Sequence, residues 1–119
     1  MTADELKDRT RQFAFDVIDL CLGLGADDLA RLVRPQLLRA GAGVASNYRA
    51  ACRSRSRKEF ASRLGIVAEE ADECEFWLHV LVNRHSRPAG SIAGLRREAT
   101  ELRAIMAASR ATTLRGGSS

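Results

Sequence analysis

Proline and aromatic side chains are scarce in this chain: two prolines and six aromatics in 119 residues, against abundant Ala, Leu, Arg and Glu. Strands favour aromatic and β-branched residues, so this balance argues against a strand-rich fold and for an all-helical one. No run of 18 apolar residues occurs, which excludes a membrane-spanning helix. Cys21, Cys52 and Cys74 show no Cys-x-x-Cys or Cys/His spacing, and the two histidines, His79 and His85, lack the context of a catalytic base. Neither a zinc centre nor a cysteine nucleophile is expected. An odd cysteine count without a secretory signal fits a reducing compartment, and the expected location is cytoplasmic.

The length suits one domain that buries roughly two-thirds of its unfolded surface. The net charge is only +4, but it is unevenly distributed. Residues 31–63 hold eight arginines and one lysine against a single acid, Glu59, whereas residues 69–75 hold five acids and no base. Such segregation implies either an electropositive surface or two complementary surfaces that meet.

Hydrophobic spacing divides the chain into four helices. Leu6, Phe13, Val17, Leu20, Cys21 and Leu24 mark the first, over residues 3–22, which Gly23-Leu24-Gly25 ends. Asp27 or Asp28 caps the second, over residues 28–51, where Pro35 predicts a kink or a short separate first turn. Past Pro35 this helix is small nearly all round. Leu37, Gly41, Val44 and Tyr48 form the seam toward its own bundle, and Ala40, Gly43 and Ala50 lie on other faces. Helix-interior glycines cost about 1 kcal/mol each relative to alanine, which implies close packing on more than one side and, in a chain of this size, a second subunit.

A Ser56-x-x-Glu59 capping box opens the third helix. Phe60, Leu64, Val67, Ala71, Cys74, Leu78 and Leu81 form its core stripe; Ile66, Glu70, Glu73, Trp77 and Val80 run beside it. Glu73 therefore sits among apolar neighbours and needs a partner, for which Arg39 is the candidate. Residues 83–88 break the helix. The fourth, over 88–111, buries Ile92, Leu95, Ala99, Leu102, Ile105 and Met106, and 112–119 form a short polar, flexible tail. Four helices with short connections predict an antiparallel up-down four-helix bundle over residues 1–111.

Three motifs carry a resemblance. They are Gln-Leu-Leu-Arg-Ala-Gly-x-x-Val-x-x-Asn-Tyr-Arg-Ala (36–50), Arg-Ser-Arg-Lys-Glu-Phe (55–60) and Leu-Gly-Ile-Val-x-Glu-x-Ala-Asp-Glu-x-Glu-Phe-Trp-Leu (64–78). Together they resemble the bacterial four-helix bundle protein family, also called 23S rRNA intervening-sequence proteins, over most of the chain. The resemblance implies an up-down bundle assembled as a homo-oligomer, commonly a pentamer. Some members of the family are encoded within ribosomal RNA genes. A related branch serves as an accessory protein of diversity-generating retroelements, which implies RNA or DNA and a nucleic-acid enzyme such as a reverse transcriptase as partners. Where the family usually continues after the asparagine with Ile-Ala-Glu-Gly, this chain has Tyr48-Arg49-Ala50-Ala51.

The candidate functional residues are Arg49, Arg53, Arg55, Arg57, Lys58 and Arg63, gathered at one end of the bundle, where guanidinium groups suit phosphate oxygens. No aromatic interleaves them, so base stacking and sequence-specific reading are not indicated. The alternatives are a solvated face, pairing with the acidic segment of the third helix, or an adaptor that docks acidic protein segments. Arg39, Asn47 and Glu73 form a candidate structural polar network. Glu70, Glu73, Glu75 and His79 do not match di-metal spacing, which requires Glu-x-x-His on two helices. No cofactor and no enzymatic activity are expected.

Overall fold

A computed structural model describes residues 1–84 and 89–116. It is an antiparallel up-down four-helix bundle of α1 (Ala3–Leu22), α2 (Asp28–Ala51), α3 (Arg57–Arg84) and α4 (Ala89–Leu114), about 48 Å long and 20 Å wide. Contacts between neighbouring helices fix the alternation. Val17 and Cys21 of α1 meet Gly41 and Arg34 of α2; Arg39 and Gly43 of α2 meet Glu73 and Glu70 of α3; Glu75 and Asp72 of α3 meet Arg96 and Arg103 of α4. In each pair, rising numbers on one helix face falling numbers on the other. No helix among the described residues is long and apolar enough to cross a membrane.

The helix ends follow from local chemistry. Thr2 Oγ1 accepts the Glu5 amide at 3.1 Å and Glu5 Oε1 accepts the Thr2 amide at 2.9 Å, a reciprocal cap on α1. At its other end, Arg34 reaches back from α2 to donate to the carbonyls of Cys21, at 3.0 Å, and Gly25. The left-handed turn falls on Gly25 (φ 88°), not Gly23 (φ −96°). Asp27, not Asp28, caps α2, accepting the Ala30 amide at 2.8 Å. Helix α2 runs unbroken through Pro35, so no separate first turn forms. Pro35 is exposed, and the Arg31 carbonyl that lacks its amide lies on the solvent side. Helix α4 extends to Leu114, three residues past the expected Ala111 boundary: the Arg115 amide still donates to the Ala111 carbonyl at 3.1 Å, and the turn comes only at Gly116 (φ 80°). Residues 85–88 of the expected helix break, His85 among them, and residues 117–119 of the tail lie outside the described residues.

The core is the sum of the four predicted stripes. Leu64, Val67, Ala71, Cys74, Leu78 and Leu81 of α3 are completely buried, with Phe60 at the margin. Ile92, Ala99, Leu102 and Met106 are buried on α4, while Leu95 and Ile105 close its edge. Each such large side chain contributes about 1.5–3 kcal/mol by leaving water. Thr10, polar yet fully buried, is satisfied by donating to the Leu6 carbonyl at 2.8 Å.

The glycines of α2 are explained within one chain. A Cβ on Gly41 would lie 2.7 Å from Val17 Cγ1, and one on Gly43 would lie 3.0 Å from Glu70 Cδ. Ala40, expected on an outer face, is fully buried in the chain's own core. The small faces of α2 thus admit α1 and α3, and by themselves give no evidence of a second subunit.

Gly41→Ala should therefore cost about 1–3 kcal/mol by overpacking against the stiff, branched Val17, offset by about 1 kcal/mol of helix propensity, for a net loss of stability. In a Val17→Ala background the same substitution should be neutral or stabilising. Urea denaturation of the four proteins checks this, and equal effects in both backgrounds would show that the two sites do not press on each other.

Candidate nucleic-acid interface

Residues 52–56 connect α2 to α3 by a tight turn. Cys52 N donates to Tyr48 O at 3.0 Å, Arg53 N to Ala50 O at 3.1 Å and Ser54 N to Ala51 O at 3.0 Å. Tyr48, 3 % exposed, anchors the turn from below; burial, with a hydrogen bond to Cys52, holds its phenol far above its ordinary pKa. Ser56 Oγ then accepts the Glu59 amide at 3.0 Å. The expected reciprocal bond is displaced by one residue, since Glu59 Oε2 takes the Arg55 amide at 3.1 Å. That amide, followed by Arg63, holds the Glu59 carboxyl below its ordinary pKa.

On this frame Arg49, Arg53, Arg55, Arg57 and Lys58 are all exposed, and none of their side chains has a carboxylate within 4.0 Å among the described residues. Arg63 differs. It is half-buried and bonds Glu59 at 3.3 Å, so its charge is partly neutralised inside the turn. The fold adds two cations that the sequence reading left out. Arg110 of α4 lies against Gly65, its Nε 3.2 Å from where a Cβ would be, and Arg115 follows at the end of the same helix. Arg57 Nη1 comes within 3.7 Å of the corresponding position at Gly116, which places the end of α4 beside the start of α3. The antiparallel order of the helices was the signal for both. Two acids, Asp4 and Glu5 of α1, share this end of the bundle; Asp4 pairs with Lys7 at 3.7 Å.

Three of the five acids of the α3 acidic segment are engaged away from the basic turn. Glu73 pairs with Arg39 at 2.9 Å, Glu75 with Arg96 at 3.2 Å and Asp72 with Arg103 at 3.6 Å. Fourteen helical residues, about 21 Å, separate Lys58 from Asp72. Glu69, the acid of the segment nearest the turn, lines a groove with Lys58 and Arg110 but has no ion pair among the described residues.

The Arg39–Glu73 pair lies within one chain and is open to solvent, the side chains being 58 % and 37 % exposed. Asn47 does not join it, because its Nδ2 donates to the Gly43 carbonyl one turn back, at 2.9 Å. Glu70 nestles against Gly43, and burial, reinforced by Glu73, raises its pKa above the ordinary carboxylate value. Burial likewise raises the Cys74 thiol strongly and moves Cys21 to about 11. Both thiols are packed in the core. His79 is exposed beside Asn83, and among the described residues no three His, Cys, Asp or Glu side chains converge as a metal site would require.

Fold and surface together define a small helical bundle with a cationic end. Residues 5–108 match the 23S rRNA-intervening sequence protein family, and the chain belongs to that family. A crystal structure of a protein with unknown function, from the S23 ribosomal protein family of Bacteroides thetaiotaomicron VPI-5482, superposes with a TM-score of 0.81 at 25% sequence identity. The match covers 94% of this chain and 100% of that one. No curated protein matches the sequence.

Exposure sets the energetic weight of the Arg39–Glu73 pair. Solvent-open ion pairs contribute about 0–1 kcal/mol, so Glu73→Ala should change stability by no more than that. Thermal and urea unfolding check the figure, and a loss above about 3 kcal/mol would mean that the pair is enclosed by another molecule.

Proposed function

We propose that this chain is a non-enzymatic, self-assembling cytoplasmic bundle whose basic end binds the phosphate backbone of RNA or DNA without reading sequence. The observation that carries the proposal is the state of the charges: five exposed cations at one end without carboxylate partners among the described residues, while Glu73, Glu75 and Asp72 of α3 are tied to arginines elsewhere. Arginine forks and lysine at a solvent-exposed turn give affinity through counterion release, which is indifferent to base identity.

Support for assembly comes from the face shared by α2 and α3. The contacts Arg39–Glu73 and Gly43–Glu70 set a register that brings Leu32 level with Val80 and Gln36 level with Trp77. Here Leu32 of α2 is 54 % exposed, and Phe76 of α3, 55 % exposed, makes edge-to-face contact with Trp77 at 4.9 Å. Such a stripe is more apolar than a free surface needs. Copies joined through it would multiply weak phosphate contacts by effective concentration; a ring of five is what the family resemblance implies.

Electrophoretic shifts with mixed-sequence RNA and DNA test the reading. With five phosphate contacts, a rise from about 50 to 200 mM salt should weaken binding about 10²–10³-fold, to a similar extent for unrelated sequences. Arg53→Glu with Arg55→Glu should abolish binding and leave the helical circular dichroism intact. Failure to shift either polymer even at low salt would sink the proposal and leave an adaptor role, read by capture of an acidic protein segment. Light scattering that returned only a 13.0 kDa monomer at high micromolar concentration would remove the assembly.

A further inference from the structure

Three glycines inside the helices make room for a side chain of the same molecule: Gly41 for Val17, Gly43 for Glu70 and Gly65 for Arg110. Gly94 does not. A Cβ there would meet nothing nearer than the Arg97 guanidinium of its own helix, at 3.8 Å, an ordinary contact distance. Glycine weakens a helix interior, and at Gly94 no neighbour among the described residues explains it. The open space beside it is a groove of about 1070 Å³ between α1 and α4. These are the first and last helices of the bundle; α1 packs mainly on α2 and α4 mainly on α3, so the seam between them is the loosest in the fold.

The groove has a consistent chemistry. Its floor is apolar, from Phe13, Leu20 and Leu95. Its rim is acidic: Asp8, Asp16 and Asp19 stand along α1, with Glu5 at one end and Glu98 across on α4. Arg9 is the cation among the lining residues, and it is held by Glu98, at 2.7 and 2.8 Å, and by Glu101 at 2.8 Å. Asp19 has no ion pair among the described residues, and Asp16 accepts only an amide hydrogen from Gln12, at 2.9 Å. Two carboxylates thus face the groove without a cation.

We propose that the groove between α1 and α4 is a docking site for a cationic amphipathic helix of a partner protein. Such a helix would set apolar residues on the floor, approach closely at Gly94 and place lysine or arginine along the rim. The lining of α1 from Glu5 to Leu20 spans about 22 Å, the length of roughly four helical turns. The chain's own surfaces fit poorly. Residues 49–58 carry the charge but only Ala50, Ala51 and Cys52 as apolar groups. Arg39, the cation beside the exposed apolar face of α2 and α3, is held by Glu73 at 2.9 Å and offers the rim no free positive charge. This site is separate from the basic end and does not depend on it.

Fluorescence anisotropy with a labelled Leu/Lys amphipathic peptide of about 15 residues tests the site on the full chain. The basic peptide should bind at micromolar concentration and a Leu/Glu peptide of the same length should not. Asp16→Lys with Asp19→Lys should weaken binding at least about tenfold. Gly94→Leu, which fills the groove from the open side and favours helix, should do the same with circular dichroism unchanged. Reversal of two acids of α3, which does not pack on α1, Glu69→Lys with Asp72→Lys, should leave affinity within about twofold. The proposal is overturned if the basic peptide fails to bind, if the α3 reversal weakens it as much as the groove reversal, or if Gly94→Leu has no effect. It is also overturned if either groove variant changes the sedimentation of the chain alone, because the occupant would then be a second copy.

Discussion

Helix α3 has a neighbour on each side, and its completely buried stripe from Leu64 to Leu81 holds both of them. Once that stripe is shared between α2 and α4, the remaining faces of α3 are no longer free to vary. The side toward α2 carries Glu70 and Glu73; the side toward α4 carries Asp72 and Glu75. Three carboxylates that might have neutralised the basic turn, Glu73, Glu75 and Asp72, are thereby fixed at mid-bundle, against Arg39, Arg96 and Arg103. These solvent-open pairs add little stability. Their effect is on where charge is left over, and that place is the far end of the bundle, where helix direction gathers Arg49, Arg57 and Arg110 from three different elements.

The same sharing explains the looseness of the opposite seam. α1 is held to α2 by Val17 seated on Gly41 and by Arg34 bonding the last turn of α1. α4 is held to α3 by its buried Ile92, Ala99, Leu102 and Met106. Closing α1 directly onto α4 would need apolar residues on both flanks. α1 presents Asp8, Asp16 and Asp19 there instead, and the two helices are bridged by Arg9. A bundle whose first and last helices meet through charge keeps a groove between them.

Helix periodicity made most of the fold legible. The α1, α2 and α3 boundaries, the core stripes and the Arg39–Glu73 pair all followed from spacing and from the scarcity of helix breakers. The misreadings have separate causes. A helical wheel places Gly43 and Ala40 off the seam because it shows angles but not how far a neighbour wraps around; Glu70 reaches Gly43, and the core encloses Ala40. Asn47 formed a local backbone bond in place of the longer-range one expected, since a nearby carbonyl is entropically the easier partner, and Glu59 took the Arg55 amide, one residue beyond the expected Ser56. Arg110 and the acidic groove could not be read from any single helix, because they exist only where two elements far apart in sequence come together.

Charge of both signs on one small body raises the question of whether the two surfaces interfere. The acidic groove draws on α1 residues 5–20 and α4 residues 91–98, weighted toward the end at which α1 finishes. The cations at the basic turn lie at the end where α1 begins. Along α1, Asp16 and Asp19 are about 20 Å or more from that end, roughly two Debye lengths at 0.1 M salt. Their fields are therefore largely screened from one another, although Asp4 and Glu5 moderate the basic end locally. A polyanion at the turn and a cationic helix in the groove would each meet its own local potential, with the 48 Å length of the bundle providing the separation.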